Sequence, residues 1–192
     1  RHCKINHQKK IIVSDWYCPL PFKHAYVDST GIAACCQTKR YQVALDEWPT
    51  HPELIKLQQE LLAGNKPAVC KTCIKQEQIY GTSLRTNSNR DYNNQIFTDT
   101  NIDFIDFRSV NICNFKCRMC GDMLSSSRET EQKKHNMINR SDPKNNWQRH
   151  EVSQQITQFQ DSQIEAEFAQ AVEDGRVEEV YWVGGEPLMY EQ

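Results

Sequence analysis

The first hundred residues alternate extended apolar runs with amphipathic ones. The segment FKHAYVDSTGIAACC predicts a β-hairpin, because a Ser-Thr-Gly turn separates two apolar runs. The segment THPELIKLQQELLAG predicts a helix with leucines on one face, which is capped by Thr50 and Glu53 and ended by Gly64. Cys70 and Cys73 follow on a tight turn or the first turn of a helix, and the Asn-rich run GTSLRTNSNRDYNNQ predicts a connector.

The second half of the chain follows the order strand, loop, helix, strand. NIDFIDFRSV has the composition of a strand, and a loop with three cysteines comes directly after it. The polar run over residues 125–150 predicts a solvated helix broken before its proline, or a loop. ITQFQDSQIEAEFAQAVEDG predicts a helix with Ile164, Phe168 and Val172 on one face and Gly175 as its stop. VEEVYWVGGEP predicts a second strand, and this βαβ order makes the two strands parallel neighbours.

These patterns predict an α/β protein with two units, residues 1–100 and residues 101–192. The first unit is predicted to be a small, cysteine-rich α+β domain with a β-hairpin. The second is predicted to begin a parallel, barrel-like sheet. Because one βαβ unit cannot bury both faces of a parallel sheet, further strands are needed. We favour a piece of a longer barrel-like protein over a partner that supplies those strands.

The overall composition excludes several classes of protein. With 38% hydrophobic and 25% charged residues, the 192-residue chain can bury a core. The formal net charge of -2 provides no broad basic field, which disfavours nucleic-acid binding. No apolar run approaches the about 20 residues of a membrane helix, and no secretory leader precedes the first unit. We therefore expect a cytoplasmic protein.

The cysteines indicate a metal or an iron–sulfur cluster more than disulfides. There are nine of them, an odd number, and three form the spacing Cys113-x3-Cys117-x2-Cys120. Structural zinc takes four protein ligands, often from paired Cys-x2-Cys segments. Three thiolates instead hold three irons of a [4Fe–4S] cube, and the fourth iron then remains open to a small molecule.

The segment CNFKCRMC, which follows a predicted strand, resembles the signature loop of the radical S-adenosylmethionine (SAM) superfamily. The segment WVGGEPL, which ends the next strand, resembles the second motif of the same family. The resemblance implies a partial (β/α) barrel in which Cys113, Cys117 and Cys120 hold a [4Fe–4S] cluster. It also implies that the amino nitrogen and the carboxylate of SAM bind the open iron.

The same resemblance implies which residues line the SAM site. Backbone carbonyls near the glycines and the glutamate side chain would accept hydrogen bonds from the SAM amino group. Met119 stands where the family usually has an aromatic residue that packs near adenine. The implied SAM-binding residues are Met119, Gly184, Gly185, Glu186 and Pro187.

The activity implied by the resemblance is reductive cleavage of SAM. The reduced cluster passes one electron to the sulfonium, and the 5′-deoxyadenosyl radical that forms takes a hydrogen atom from the substrate. An external one-electron donor such as a flavodoxin or a ferredoxin is then required. No acid–base catalyst is assigned.

WYCPLPFKHAYVDSTGIAACC followed by CKTC resembles the SPASM/twitch module, which binds an auxiliary iron–sulfur cluster. Cys35 and Cys36 are adjacent in a predicted strand and point to opposite faces, so only one of them should bind. The spacing from Gly31 favours Cys36. A zinc site built from the same thiols is the alternative. The implied ligands are Cys18, Cys36, Cys70 and Cys73.

Two functions follow from these features. The first is a radical SAM enzyme, and the SPASM/twitch resemblance implies a peptide or protein substrate. The second is a non-enzymatic zinc- or iron–sulfur-binding module with a structural or electron-transfer role. An electron carrier has no need of the loop from Gly184 to Glu186, and that loop therefore favours the enzyme.

Overall fold

The computed structural model of the protein describes residues 16–28, 30–108, 112–117, 119–120, 125–137, 165–183 and 185–189. Its strands are β1 (His24–Asp28), β2 (Gly31–Ala33), β3 (Phe104–Arg108) and β4 (Glu179–Trp182). They form one open sheet in the order β2-β1-β3-β4. β1 and β2 are antiparallel, as the predicted hairpin requires, and β3 pairs in parallel with both β1 and β4. The mixed α/β class and the parallel pairing of β3 with β4 are thus confirmed.

Six α-helices pack around or beside this sheet in the described part of the chain. They are α1 (Leu20–Lys23), α2 (Pro52–Leu62), α3 (Lys71–Tyr80), α4 (Leu84–Asp91), α5 (Ser126–Lys134) and α6 (Glu165–Glu173). Short 3-10 turns cover Trp48–Thr50, Ala68–Cys70 and Pro187–Met189. Among the described helices, none has the length and apolar character needed to cross a membrane.

The core lies on one face of the sheet. Alternate residues of β1 and β3, among them Val27, Ile105 and Phe107, point to this face and are almost fully buried. They join the leucines of α2 and Phe168 of α6 in one hydrophobic cluster. The Phe107 and Phe168 rings stack with their centroids 4.6 Å apart. Each such buried side chain stabilises the fold by roughly 1.5–3 kcal/mol, which fixes α6 against β3.

The opposite face of the sheet is polar. Asp106 accepts two hydrogen bonds from Arg108, at 2.7 and 2.9 Å, and the Arg108 guanidinium lies over the Tyr26 ring at 5.2 Å. Asp28 pairs with Arg40, whose guanidinium lies 4.7 Å from the same ring. The carboxylates and the guanidiniums therefore balance each other in charge on this face.

Two local predictions are corrected in the first half of the chain. The N-cap of α2 is His51 and not Thr50, because Pro52 begins the helix and the His51 Nδ1 accepts a hydrogen bond from the Glu53 backbone N–H. The Asn-rich run predicted as a connector contains α4. A capping box between Ser83 and Thr86 starts this helix, which overrides the poor helix propensity of the run.

The second half also differs from its prediction in detail. α6 buries Phe168 and Ala171, whereas Val172 is exposed, so the face follows an i, i+3 spacing. Ile164 lies outside the described residues. Gly175, with φ +67°, follows the helix as expected. In the polar run over residues 125–150, for which we predicted a helix or a loop, Ser126–Lys134 form the helix α5.

The two predicted units share the central sheet. β1 belongs to residues 1–100 and β3 to residues 101–192, and they pair in parallel along five residues from His24↔Phe104 to Asp28↔Arg108. The division at residue 100 stays a prediction. Because β1 and β3 are paired, the cysteines of the first unit and the cysteine loop that follows β3 are attached to the same sheet.

Candidate functional site

The three-cysteine loop follows the carboxyl end of β3. Cys113 is buried, Cys117 is exposed and Cys120 lies between these extremes. The Phe115 backbone N–H donates to the Cys113 Sγ at 3.3 Å, and the Cys120 N–H donates to the Cys117 carbonyl at 3.1 Å. The loop is thus folded on itself, with one thiol held inside and another open to solvent.

Three serines at the start of α5 anchor this loop. The Ser126 Oγ accepts a hydrogen bond from the Cys113 N–H at 3.0 Å, and the Ser127 Oγ donates to the Cys113 carbonyl at 2.8 Å. The fully buried Ser125 caps α5 and donates to the Phe115 carbonyl at 2.7 Å. Sequence reasoning missed this role, although a run of serines at the start of a predicted helix is an N-cap signal.

The glycine-containing loop after β4 packs directly against the segment that enters the cysteine loop. The Glu186 N–H donates to the Ile112 carbonyl at 2.7 Å. Gly185 has φ +64°, and a Cβ at this position would stand 2.2 Å from the same carbonyl oxygen. We predicted that a glycine here would let a ligand approach. At Gly185, the space that the missing Cβ leaves is taken by the Ile112 backbone.

The other predicted SAM-binding residues differ in their surroundings. Met119 is 92% exposed, and Leu188 on the neighbouring loop is 94% exposed. The Glu186 Oε1 accepts a hydrogen bond from the Leu188 N–H at 3.4 Å. Pro187 begins a 3-10 turn. Gly184 lies outside the described residues.

The N-terminal cysteines gather at a different place. Cys18, Cys35, Cys70 and Cys73 line one narrow cavity of about 20 Å³. Cys18 precedes α1, Cys35 lies in the turn after β2, Cys70 ends a 3-10 turn and Cys73 lies in the first turn of α3. The rest of the lining is mostly apolar, and among the described residues that line it Arg85 is the one cation. Three segments that are distant in sequence, the last of which carries both Cys70 and Cys73, therefore bring four thiols to one cavity.

Burial keeps three of these thiols, those of Cys18, Cys35 and Cys70, neutral. Burial raises the pKa of Cys35 to about 12 and the pKa of Cys70 to about 11, with smaller contributions from neighbouring thiols. Burial raises the pKa of Cys18 as well. A thiolate in this apolar cavity therefore needs a cation beside it, which a bound metal supplies.

The structure favours Cys35 over our predicted Cys36 as the fourth member of this group. β2 ends at Ala33, so the two cysteines lie in a turn and the alternation expected of a strand does not apply. The turn directs Cys35 to the cavity. Cys36 is instead half-buried within electrostatic reach of Arg108 and Asp106.

Neither cysteine group forms a finished metal site as its side chains stand. In the part of the chain that the structure describes, no group of three or more His, Cys, Asp or Glu side chains is arranged to hold a metal ion. All seven cysteines of the two groups are described residues. Their thiols share a loop or a cavity without converging on one point.

Comparison with known proteins provides no relative. No protein-family model matches the chain, and neither the curated proteins nor the solved structures show a match. Function has therefore to be inferred from the residues and their geometry.

Proposed function

We propose that the chain is part of a radical SAM enzyme, with a [4Fe–4S] cluster held by Cys113, Cys117 and Cys120. The observation that supports this most directly is the hydrogen bond of 2.7 Å from the Glu186 N–H to the Ile112 carbonyl. It joins the glycine loop to the residue before the first cysteine, beyond the carboxyl ends of two parallel strands. Parallel α/β folds bind their ligands at this edge of the sheet.

The residues of the loop fit the proposed cluster in their chemistry. Three thiols on one segment match a cluster with one iron left free of protein ligands. When bound, such a cluster supplies the electron and the open coordination position that cleave SAM. The chain itself holds the loop through the Phe115 N–H and the serines of α5, and Glu186 offers a carboxylate for the SAM amine.

We extend the proposal to the second cysteine group, which would hold an auxiliary metal centre. Its ligands would be Cys18, Cys35, Cys70 and Cys73. An iron–sulfur cluster follows from the SPASM/twitch resemblance. A single zinc ion is the alternative, because four thiols are a usual ligand set of structural zinc.

The remaining elements of the proposal come from the same resemblance. They are a (β/α) barrel completed by further strands, a cysteine-rich N-terminal domain, a peptide or protein substrate and a flavodoxin or ferredoxin as electron donor. Reduced thiols in this number suit a cytoplasmic location.

Anaerobic reconstitution with iron and sulfide, followed by SAM and dithionite, tests the enzyme. We expect 5′-deoxyadenosine and methionine from the chain or from a longer protein that contains it. The Cys117→Ala variant should lose this product together with the iron of the loop, and it should keep the metal of the four-cysteine group. Bound iron without 5′-deoxyadenosine from either protein would overturn the enzyme, and an iron content unchanged by Cys117→Ala would overturn the ligand assignment.

The competing function is a non-enzymatic structural or electron-transfer module. The four thiols that line one cavity support it, since they match the ligand set of a structural zinc ion, which would stabilise the fold. The same reconstitution separates the two functions. The module predicts metal in both groups, or in the cavity alone, with SAM left uncleaved.

A further inference from the structure

We infer that Arg85 is a positioning residue for the four-cysteine centre, where it joins the segments that carry Cys18 and Cys73. This inference rests on the auxiliary centre proposed above and not on SAM cleavage. Arg85 lies in the first turn of α4, is only 9% exposed and lines the cavity beside the thiols. It therefore reaches the centre from a helix that contributes no cysteine.

The first connection runs to the Cys18 segment. The Arg85 Nη1 donates to the carbonyl of Tyr17, the residue before Cys18, at 3.0 Å, and this bond is buried. The Asn89 Nδ2, one turn later on α4, donates to the same carbonyl at 2.8 Å. Two donors from one helix thus fix the backbone beside the first thiol.

The second connection runs to α3. The Arg85 Nε donates to the Glu77 Oε1 at 2.9 Å, and its Nη2 donates to the Glu77 Oε2 at 2.6 Å. Glu77 and Cys73 are four residues apart on α3 and share one face of the helix. The carboxylate therefore holds the helix face that presents the thiol.

The chain also fixes the clamp itself. The Ser83 Oγ donates to the Glu77 Oε1 at 2.5 Å, while the Ser83–Thr86 capping box sets the start of α4. Burial alone would raise the pKa of Glu77, but the bonds from Arg85 and Ser83 lower it below its ordinary value. Glu77 is thus charged at neutral pH and pairs with Arg85, so that the pair holds α3 and α4 together beside the centre.

Only arginine provides this geometry. Its planar fork offers two parallel N–H groups to a carboxylate and a further N–H to a carbonyl, whereas a lysine ammonium provides a single point of contact. Arg90, on the same helix, makes a matched control. It is exposed and donates to Asn87 at 3.2 Å, away from both cysteine segments.

Co²⁺ binding tests the clamp, with the three loop cysteines replaced by serine so that only the buried group binds. Absorption bands report the number of thiolates around Co²⁺, and titration reports the affinity. We expect Arg85→Lys to weaken Co²⁺ binding about ten- to a hundredfold, the usual loss when a hydrogen-bonded support of a ligand is removed. Arg90→Lys should leave both affinity and spectrum unchanged.

The outcomes separate a role of Arg85 in positioning the thiols from a role in the overall stability of the fold. A change in urea midpoint without a change in Co²⁺ affinity or spectrum would overturn the inference, and so would binding by Arg85→Lys within twofold of the parent. Should Arg85→Lys fail to fold, Glu77→Gln carries the test with the same expected loss. A parent that binds no Co²⁺ through four thiolates overturns the centre and the clamp together. Clamp-dependent Co²⁺ binding, together with no SAM cleavage by the reconstituted protein that keeps its loop cysteines or by a longer protein that contains it, supports the clamp and overturns the enzyme alone.

Discussion

The two cysteine groups are built in opposite ways. The loop group draws three thiols from eight consecutive positions, and its Cys117 is exposed. The cavity group draws four thiols from segments as far apart as Cys18 and Cys73, which are 8% and 6% exposed. The first is assembled by local chain geometry, and the second exists only when the hairpin, α3 and α4 are packed. The loop group is thus partly open to solvent, whereas the cavity group is closed and depends on the packing of the fold.

Replacing each of two adjacent cysteines in turn gives the largest expected effect on this comparison. Cys35→Ser removes a thiol from the cavity and should lower Co²⁺ affinity there by more than about a hundredfold, since a lost ligand costs more than a lost support. Cys36→Ser, one residue along, should leave the four-thiolate spectrum intact. Both are measured in the protein that carries serines at the three loop positions. The reverse pattern would restore Cys36 as the ligand.

The sequence predicts the local loop group better than the cavity group, which depends on tertiary packing. The spacing of Cys113, Cys117 and Cys120 predicts a shared loop because all three lie on one short segment. The βαβ pattern likewise predicts that the glycine loop is its neighbour. The choice between Cys35 and Cys36 depends on where β2 ends, and that is set by packing of the hairpin and not by the alternation of its residues.

α4 was missed for a related reason. Its sequence is rich in Asn, Ser and Thr, which have poor helix propensity, and tertiary contacts make up the difference. The cap at Ser83 and the buried bonds of Arg85 belong to those contacts. The sequence shows the cap residue Ser83. It does not show that the Tyr17 carbonyl and the Glu77 carboxylate accept hydrogen bonds from the Arg85 guanidinium.

Alkylation of the reduced, metal-free protein gives the next largest effect. Cys117 should react with iodoacetamide about a hundredfold faster than Cys18 and Cys73, because the buried thiols react only after local opening. Mass spectrometry of peptides over time measures each rate. Cys113, which is buried within the same loop as Cys117, is the internal control and should react slowly. Equal rates at Cys117 and Cys73 would remove the contrast between open and closed groups.

The smallest expected effect is a difference in stability between alanine variants of two glycines, Gly175 and Gly185, that have nearly the same backbone conformation. Gly175 has φ +67°, and an added Cβ would have nothing within 4 Å. Gly175→Ala should therefore lower the free energy of unfolding only by the cost of placing a non-glycine residue in the left-handed conformation, about 1–2 kcal/mol. Gly185 has φ +64°, but its added Cβ would stand 2.2 Å from the Ile112 oxygen. Gly185→Ala must also push the two loops apart and break the Glu186–Ile112 hydrogen bond. We expect it to destabilise the protein by about 2 kcal/mol more than Gly175→Ala, as measured by urea unfolding.

The effect of Gly185→Ala should be confined to the open group. Co²⁺ affinity of the four-cysteine cavity should be unchanged, because none of its described lining residues lies on the loop after β4. SAM cleavage in the reconstituted protein should be lost, since the glycine loop and the cysteine loop no longer meet. Equal costs for the two alanine variants would mean that the loops separate without strain, and the contact that supports the proposed SAM site would then be incidental.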